Sequence, residues 1–230
     1  MPDLPKRLMQ YIPGIFILGL GTVLFSCCQL GVSSLVSLPF TTATITGITL
    51  GNATSLIFGL LVIVEIILAK SLSLKILLQL PFSFLFGAVV DFYNVTLGLE
   101  NFVVPNLIGK IALLTAAVIA TSVGAFLMVR SRLILNPPDG LVEIIALKKD
   151  KRFGQVKFYF DLTMITLAFL LGMIFLGQSS GIGLGTLTAL LCVGRLIHFL
   201  EVKTTPRPVE ETNEYAQMVR SNDANNIKAP

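Results

Sequence analysis

The sequence predicts an all-α membrane protein with six transmembrane helices. These form two inverted three-helix repeats, each with a short re-entrant or interfacial helix. Composition is the first observation behind this prediction: 54% of the 230 residues are hydrophobic, only 13% are charged, and the mean hydropathy is +0.84, far from the balance of soluble domains. The other two observations are the number of long apolar segments and an internal similarity between two parts of the chain.

Six apolar segments are long enough to cross about 30 Å of hydrocarbon. They lie near residues 10–31, 53–69, 76–93, 105–128, 159–176 and 182–200. We therefore divide the chain into a cytoplasmic N-terminus (1–9), a first three-helix repeat (10–94), an outer loop (95–104), a second three-helix repeat (105–200) and a disordered cytoplasmic tail (201–230).

The internal similarity relates residues 50–94 to residues 153–201. Leu50-Gly51-Asn52 matches Phe153-Gly154-Gln155, Leu80–Asp91 matches Leu187–His198, and Pro39-Phe40-Thr41 matches Pro137-Pro138-Asp139. Each copy contains an odd number of spans, so the two copies are expected to cross the bilayer in opposite directions. Inverted repeats of this kind are typical of many transporters.

Basic residues predict the orientation, because cytoplasmic loops of membrane proteins are enriched in lysine and arginine. If the N-terminus is inside, only Lys110 lies near the outer face. The inner side then receives Lys6, Arg7, Lys70, Lys75, Arg130, Arg132, Lys148, Lys149, Lys151, Arg152, Lys157, Lys203, Arg207, Arg220 and Lys228. Both termini are therefore predicted to be cytoplasmic. The same rule explains the net charge of +4, so the charge does not indicate nucleic-acid binding.

Two short segments, near residues 40–50 and 139–147, are too short to span the membrane. Each follows a proline, and each is either re-entrant or an amphipathic helix at the interface. Helix N-termini attract anions and polar groups, so two re-entrant helices from opposite faces would outline a central site. The candidate substrate-binding residues are Thr41, Asp139, Asn52 and Gln155. A simple helix-capping role would also explain Asp139.

Ionisable side chains inside the spans are costly in lipid and are candidates for function. Glu65 and Arg195 lie at similar depth near the inner ends of two spans, and we expect them to pair, either as a gating or coupling pair or as a structural ion pair. Lys157 and Asp161 are expected to form an i, i+4 pair at the membrane boundary. Asp91 is expected at a solvated helix end.

The stretch PPDGLVEIIALKKDKRFGQVKFYFDLTMITLAFLLG, followed by GIGLGTLTALLCVG, resembles the second half of bacterial YczE/YyaS/YitT-type membrane proteins. LPFTTATITGITLGNATSLIFGLL and SLKILLQLPFSFLFGAVVDFYN resemble their first half. The resemblance covers about residues 10–200 and implies a multi-pass protein of the bacterial inner or plasma membrane. The chain departs from the pattern at Thr41, where a carboxylate would make the two halves symmetric.

The chain contains no serine nucleophile elbow, phosphate-binding loop or set of metal ligands at a recognisable spacing. We therefore expect no enzymatic activity, cofactor or metal. The predicted function is that of a small-solute transporter or permease, embedded in the lipid bilayer, with its site between the repeats. The alternatives are an accessory or regulatory membrane protein that binds a partner through the C-terminal tail or loop 148–152, and the substrate-binding subunit of a larger transporter.

Overall fold

The structure, a computed structural model, describes residues 4–70, 73–151 and 153–204. Nine α-helices account for most of these residues, and no strand occurs among them. The helices are α1 (Leu4–Cys27), α2 (Ser37–Thr46), α3 (Leu50–Ala69), α4 (Leu74–Leu77), α5 (Gln79–Asp91), α6 (Leu107–Ser131), α7 (Pro137–Lys149), α8 (Phe153–Leu176) and α9 (Leu184–Thr204).

Six segments of the described chain are long and apolar enough to cross a bilayer: α1, α3, the continuous unit Leu74–Thr96, α6, α8 and α9. This confirms the predicted number of spans and identifies a multi-pass membrane protein. Helix α1 begins at Leu4 and α8 at Phe153, earlier than the apolar segments predicted. A helix can extend beyond its apolar segment when the adjoining polar residues also adopt helical backbone conformation. Residues 4–9 are therefore helical, and Lys157 lies inside α8.

Helices α1 and α6 pack side by side along most of their length, and glycines allow their backbones to approach. A Cβ atom added at Gly21 would lie 2.6 Å from the backbone nitrogen of Thr121, and one at Gly124 would overlap the backbone of Leu18. Helices α3 and α5 meet in the same way at Gly51 and Gly87. Small residues promote helix contacts of this kind in membranes, where the hydrophobic effect between helices is weak. Gly194 of α9, by contrast, faces open space.

Hydrogen bonds between connections define one end of the bundle. Lys110 Nζ donates to Gln29 Oε1 at 2.9 Å, and Val32 N donates to Gly181 O at 2.7 Å. The end of α1 and the starts of α6 and α9 therefore lie together. At the opposite end, the Arg7 guanidinium donates to the carbonyl of Ser131, which joins the start of α1 to the end of α6.

The short helices α2 and α7 both begin inside the protein and end at its surface. In α2, Ser37, Leu38, Pro39 and Thr41 are buried, whereas Thr44 and Thr46 are exposed. In α7, burial runs from Pro137 to Val142 apart from the partly buried Asp139, and exposure appears at Lys149. A helix lying flat on an interface would expose one face along its whole length. Each short helix is therefore anchored in the packed interior by its first residues.

Three predicted boundaries differ from the structure. Lys148 and Lys149, expected in a loop at 148–152, form the last turn of α7. The predicted outer loop 95–104 contains the end of a π-helical turn (Phe92–Thr96) and a 3-10 turn (Leu99–Asn101). The predicted tail begins later than residue 201, because α9 continues to Thr204. The remainder of that tail, residues 205–230, lies outside the described residues, as does Arg152.

Candidate functional site

Lys157 lies at the centre of a polar cluster inside the helix bundle. Its Nζ atom is 3.0 Å from Asp139 Oδ1 of α7 and 3.0 Å from Asp161 Oδ1 of its own helix. Ser34, in the turn that precedes α2, donates a hydrogen bond from its Oγ to Asp161 Oδ2 at 3.1 Å. We call these four residues the Lys157 cluster. It connects the starts of both short helices to one transmembrane helix, α8.

The sequence explains why these groups meet. Lys157 and Asp161 are four residues apart, so they lie on the same face of α8. Asp161 is eight residues beyond the start of α8, about 12 Å along its axis at 1.5 Å per residue. This places the buried carboxylate in the third turn of α8. Asp139 is the third residue of α7 and reaches Lys157 from the buried start of that helix.

The Lys157 cluster contains one cation and two carboxylates. Ser34 and Asp161 are buried, whereas the side chains of Asp139 and Lys157 keep 18% and 21% of their surface exposed. The cluster therefore extends from a partly open edge to a closed interior. Charged groups in such a place are stable only when paired. With both carboxylates ionised, the cluster carries an excess negative charge.

The start of α7 has few donors for an anion. Pro137 and Pro138 have no N–H group, and the N–H groups of Asp139 and Gly140 both donate to the carbonyl of Asn136 at 2.9 Å. The Asp139 carboxylate therefore does not cap the helix, and the predicted capping explanation is wrong. Its described partner is Lys157.

Two buried polar atoms beside these helix starts have no hydrogen-bond partner within the described residues. They are Oγ of Ser33, just before the turn that leads into α2, and Oδ1 of Asn136, just before α7. Their residues are only 2% and 4% exposed. Buried polar atoms are normally satisfied by protein or by water. The described protein groups therefore do not satisfy these two atoms.

The other predicted substrate-binding residues lie elsewhere. Thr41 is buried, but its Oγ1 donates to Ser180 O at 3.2 Å. Asn52 is exposed and lines an open groove of about 410 Å³ between α3 and α5, and Gln155 is exposed and lines a groove of about 760 Å³ between α7 and α8. Of the four predicted residues, the structure brings only Asp139 to the cluster.

The groove near Asn52 contains Asp91, which was expected at a solvated helix end. Its Oδ2 accepts a hydrogen bond from Thr49 Oγ1 at 2.6 Å, and its Oδ1 accepts one from the backbone N–H of Gly51 at 2.7 Å. The Asp91 carboxylate, at the end of α5, therefore accepts hydrogen bonds from the N-cap residue and from the first turn of α3. This is a structural role that stabilises the α3–α5 contact.

The predicted Glu65–Arg195 pair does not form. Glu65 is fully buried, and its Oε1 accepts a hydrogen bond from Gln79 Nε2 at 3.0 Å. Arg195 lies on the exposed face of α9, a helix that packs mainly against α6. Equal depth in the sequence does not determine which faces of two helices meet, so a depth argument alone gave the wrong partner.

Glu65 belongs instead to a second polar cluster at the contact of α3, α5 and α7. A Cβ atom added at Gly140 would lie 2.6 Å from Gln79 Nε2 and 2.9 Å from Glu65 Oε2. Glu143 lies one turn further along α7. Burial, and then the nearby Glu65 carboxylate, raise the pKa of Glu143 to about 7, while Lys75 opposes this shift.

Lys157 and Asp161 were predicted to form a pair at a membrane boundary, and Ser34, Gln79 and Glu143 were not among the predicted site residues. The sequence does contain a signal for Lys157 and Asp161. A lysine and an aspartate four residues apart in an apolar segment are energetically costly in lipid, so such residues are usually functional. Gln79 carries a weaker signal, a large polar side chain at the start of a span. No group of three or more His, Cys, Asp or Glu side chains with metal-binding geometry occurs within the described ranges.

Residues 5–202 match the family of unknown function DUF6198. The chain belongs to this family. The match includes both polar clusters and nearly all of the nine helices. No curated protein and no solved structure gives a significant match. The resemblance to YczE/YyaS/YitT-type proteins therefore stays a prediction.

Proposed function

We propose that this protein is a small-solute transporter or permease whose solute binds where the starts of α2 and α7 converge on α8. The observation that carries this proposal is the Lys157 cluster, which joins Ser34 before α2 and Asp139 of α7 through Lys157 and Asp161. Charged groups within transmembrane segments often mark solute or ion pathways, and Lys157 and Asp161 both lie in the apolar helix α8.

The packing of the short helices supports an inverted repeat. Each half of the chain has the order long helix, short helix, long helix, long unit. Helix α2 follows α1 and packs on both α3 and α8, and α7 follows α6 and packs on the same two helices. This reciprocal packing is what two copies related by an axis in the membrane plane would produce. A bacterial inner or plasma membrane location, with both termini cytoplasmic, belongs to the same proposal.

The charge of the site favours a neutral or cationic solute. Asp139 and Asp161 share the single ammonium group of Lys157, so a second positive group would find a carboxylate partner. An anion would face two carboxylates and the start of α7, whose N–H groups are absent or already bonded. The partly exposed edge at Asp139 gives the solute a point of entry.

Ligand binding to the purified full-length protein tests this proposal. We would screen quaternary ammonium compounds, polyamines, amino acids and neutral sugars by thermal stabilisation in detergent, since a ligand at 100 times its dissociation constant stabilises by about 2.7 kcal/mol. Radiolabelled hits are then tested for uptake into proteoliposomes. We expect Asp139→Asn to abolish both signals. The matched control is Asp150→Asn, which removes an exposed carboxylate just past the end of α7 and should change neither.

A second experiment tests the proposal without a solute. Water must reach the site from at least one side, so a cysteine replacing Ser34 should react with a membrane-impermeant thiol reagent in sealed vesicles. The background would lack Cys27, Cys28 and Cys192. Absence of labelling from both sides, in protein shown to be folded, would reject transport through this site.

One observation supports the alternative of an accessory membrane protein. The groove of about 760 Å³ between α7 and α8 is lined by Lys149 and Lys151 together with Phe158 and Tyr159. Two cations beside exposed aromatic rings fit an acidic segment of a protein partner. Charge reversal at both lysines should then abolish co-purification of that partner but leave solute uptake unchanged.

A further inference from the structure

The second polar cluster contains an unsatisfied acceptor beside a buried acid. Gln79, the first residue of α5, is 3% exposed, and Glu65 of α3 is fully buried. The amide nitrogen Nε2 of Gln79 donates to Glu65 Oε1 at 3.0 Å. The amide oxygen Oε1 of Gln79 has no hydrogen-bond partner among the described residues. A buried acceptor of this kind requires a donor.

A protonated glutamate supplies such a donor. An ionised carboxylate only accepts hydrogen bonds, whereas a carboxylic acid has one O–H group. An acid and a primary amide form a ring of two hydrogen bonds, N–H to acid oxygen and O–H to amide oxygen. Rotating the amide of Gln79 by 180° leads to the same conclusion, because it would place two oxygens 3.0 Å apart at the position of the observed bond. Only a proton between those oxygens makes that contact favourable.

Several elements packed around this cluster contribute polar or charged side chains to it. Helix α7 contributes Asp139 and Glu143, α4 contributes Lys75, and α5 contributes the uncharged Gln79. Helix α2 carries no ionisable side chain. Glu65, Asp139 and Lys75 all act electrostatically on Glu143, and Lys157 is bound to Asp139 and Asp161.

The cluster is in direct contact with the backbone that carries Asp139. Gly140 follows Asp139, and its Cα lies so close to Glu65 and Gln79 that a Cβ would lie within 3.0 Å of three of their polar atoms. A change of charge at Glu65 therefore acts on the start of α7, one residue from the ion pair with Lys157. Packed elements of this kind transmit a local change because they cannot deform gradually.

We propose that Glu65 and Gln79 form a proton-binding site and that the proton is the coupling ion of transport. This inference rests on the transport function proposed above. The proton is taken up from water by the Glu65 carboxylate and returned to water, and no group is oxidised or reduced. In the protonated state Glu65 and Gln79 form the two-bond ring. In the ionised state the ring loses its O–H bond, and the carboxylate faces Glu143 and Asp139 at the start of α7.

Infrared difference spectroscopy of the purified full-length protein tests this site directly. A protonated carboxyl group has a C=O stretching band that a carboxylate lacks. At neutral pH we expect the wild type to show an acid band that is missing in Glu65→Gln, and we expect this band to shift in Gln79→Leu, where its hydrogen-bond partner is absent. Glu65→Gln should fold, because two carboxamides form the same two-bond ring. Glu143→Gln identifies any contribution of the neighbouring acid, and Glu100→Gln, in an exposed turn, is the matched control.

Two results would overturn the inference. If Glu65→Gln removes only carboxylate absorption at neutral pH, Glu65 is ionised and holds no proton. If Na⁺ or K⁺ alone shifts the Glu65 carboxylate band at constant pH, the site binds a cation instead. Neither measurement needs a transported solute, so failure here leaves the transport proposal intact. Conversely, an acid band at Glu65 in a protein that fails the Ser34→Cys accessibility test would show a protonated structural pair without transport.

Discussion

At the scale of single residues, Lys157 compensates the charge of two carboxylates in the interior of this protein. Its ammonium group contacts Asp139 and Asp161, each at 3.0 Å. Removing one partner of a buried pair leaves an uncompensated charge, which costs about 3–5 kcal/mol. Because Lys157 serves two carboxylates, its loss should be worse than the loss of either acid.

Lys157→Met should therefore lower thermal stability in detergent more than Asp139→Asn or Asp161→Asn does. Adding both acid substitutions to Lys157→Met should restore part of the loss, because the triple variant has no stranded charge. Lys151→Met, at an exposed position in the same α7–α8 connection, is the control and should have little effect. Strictly additive effects in the triple variant would show that the three groups do not interact.

Glu143 should make stability depend on pH. Its pKa rises from 4.5 to about 7 in the folded protein, chiefly because it is buried and next because Glu65 is near. A raised carboxyl pKa means that the folded state binds the proton more tightly. The stabilisation is complete below pH 4.5 and is lost as the pH rises through 7. At 1.36 kcal/mol per pKa unit, the loss is on the order of 3 kcal/mol.

Glu143→Gln should flatten this dependence. Chemical denaturation in detergent between pH 4.5 and 8 measures it, and the variant should exceed the wild type in stability above pH 7. Glu100→Gln, at an exposed position, should follow the wild-type curve. A wild-type stability that increases across this pH window would contradict the predicted sign.

At the scale of helices, glycine contacts hold the bundle together where lipid provides no hydrophobic drive. Gly124→Ala should weaken the α1–α6 contact, because the new Cβ would overlap the backbone of Leu18 and neither helix can move without losing other contacts. Gly59→Ala in α3 meets no atom within 4 Å and should gain up to about 1 kcal/mol from helix propensity. Thermal unfolding of the two variants should therefore change in opposite directions. Equal changes in the unfolding temperature would show that α1 and α6 can move apart to accommodate the new Cβ atom at little cost.

Much of this element-scale structure was predictable, because span number and helix type follow from long apolar segments. The starts of α1 and α8 were not, since Lys6, Arg7 and Lys157 interrupt the apolar pattern but not the helix. Helix α2 was placed three residues late, at Phe40 instead of Ser37. The hydropathy pattern predicts which residues lie in the membrane. The position of a helix end depends instead on local hydrogen bonds, which hydropathy does not describe.

The candidate site was predictable only in part. Asp139 was identified from its position after two prolines, and this was useful because α7 does begin there. The partner of Glu65 was missed because Gln79 is 14 residues away in sequence and is brought close by the contact of α3 with α5. Pairing across helices depends on the rotation of each helix about its axis, which a single sequence does not specify.

At the scale of the whole molecule, the contacts at the two ends of the bundle constrain the path of the chain. The residues after α1, before α6 and before α9 lie at one end, joined by the Gln29–Lys110 and Val32–Gly181 hydrogen bonds. The start of α1 and the end of α6 lie at the other end, joined by Arg7 and Ser131. If the bundle spans a bilayer, successive long helices therefore alternate in direction, and the short helices return to the side from which they entered.

Reporter fusions should confirm this path and give it an absolute orientation. Following the distribution of lysine and arginine, reporters after Thr204 and after Asp150 should be cytoplasmic, and reporters after Asn101 and in the exposed turn at Gly47 should be external. The Gly47, Asn101 and Asp150 fusions are decisive together. Gly47 and Asp150 should each lie on the side where the preceding long helix ended, because neither α2 nor α7 crosses. With a cytoplasmic N-terminus, cytoplasmic reporters at all three positions would make both short helices true spans. The two halves would then have an even number of crossings and the same orientation, and the inverted repeat on which the proposed site depends would be excluded.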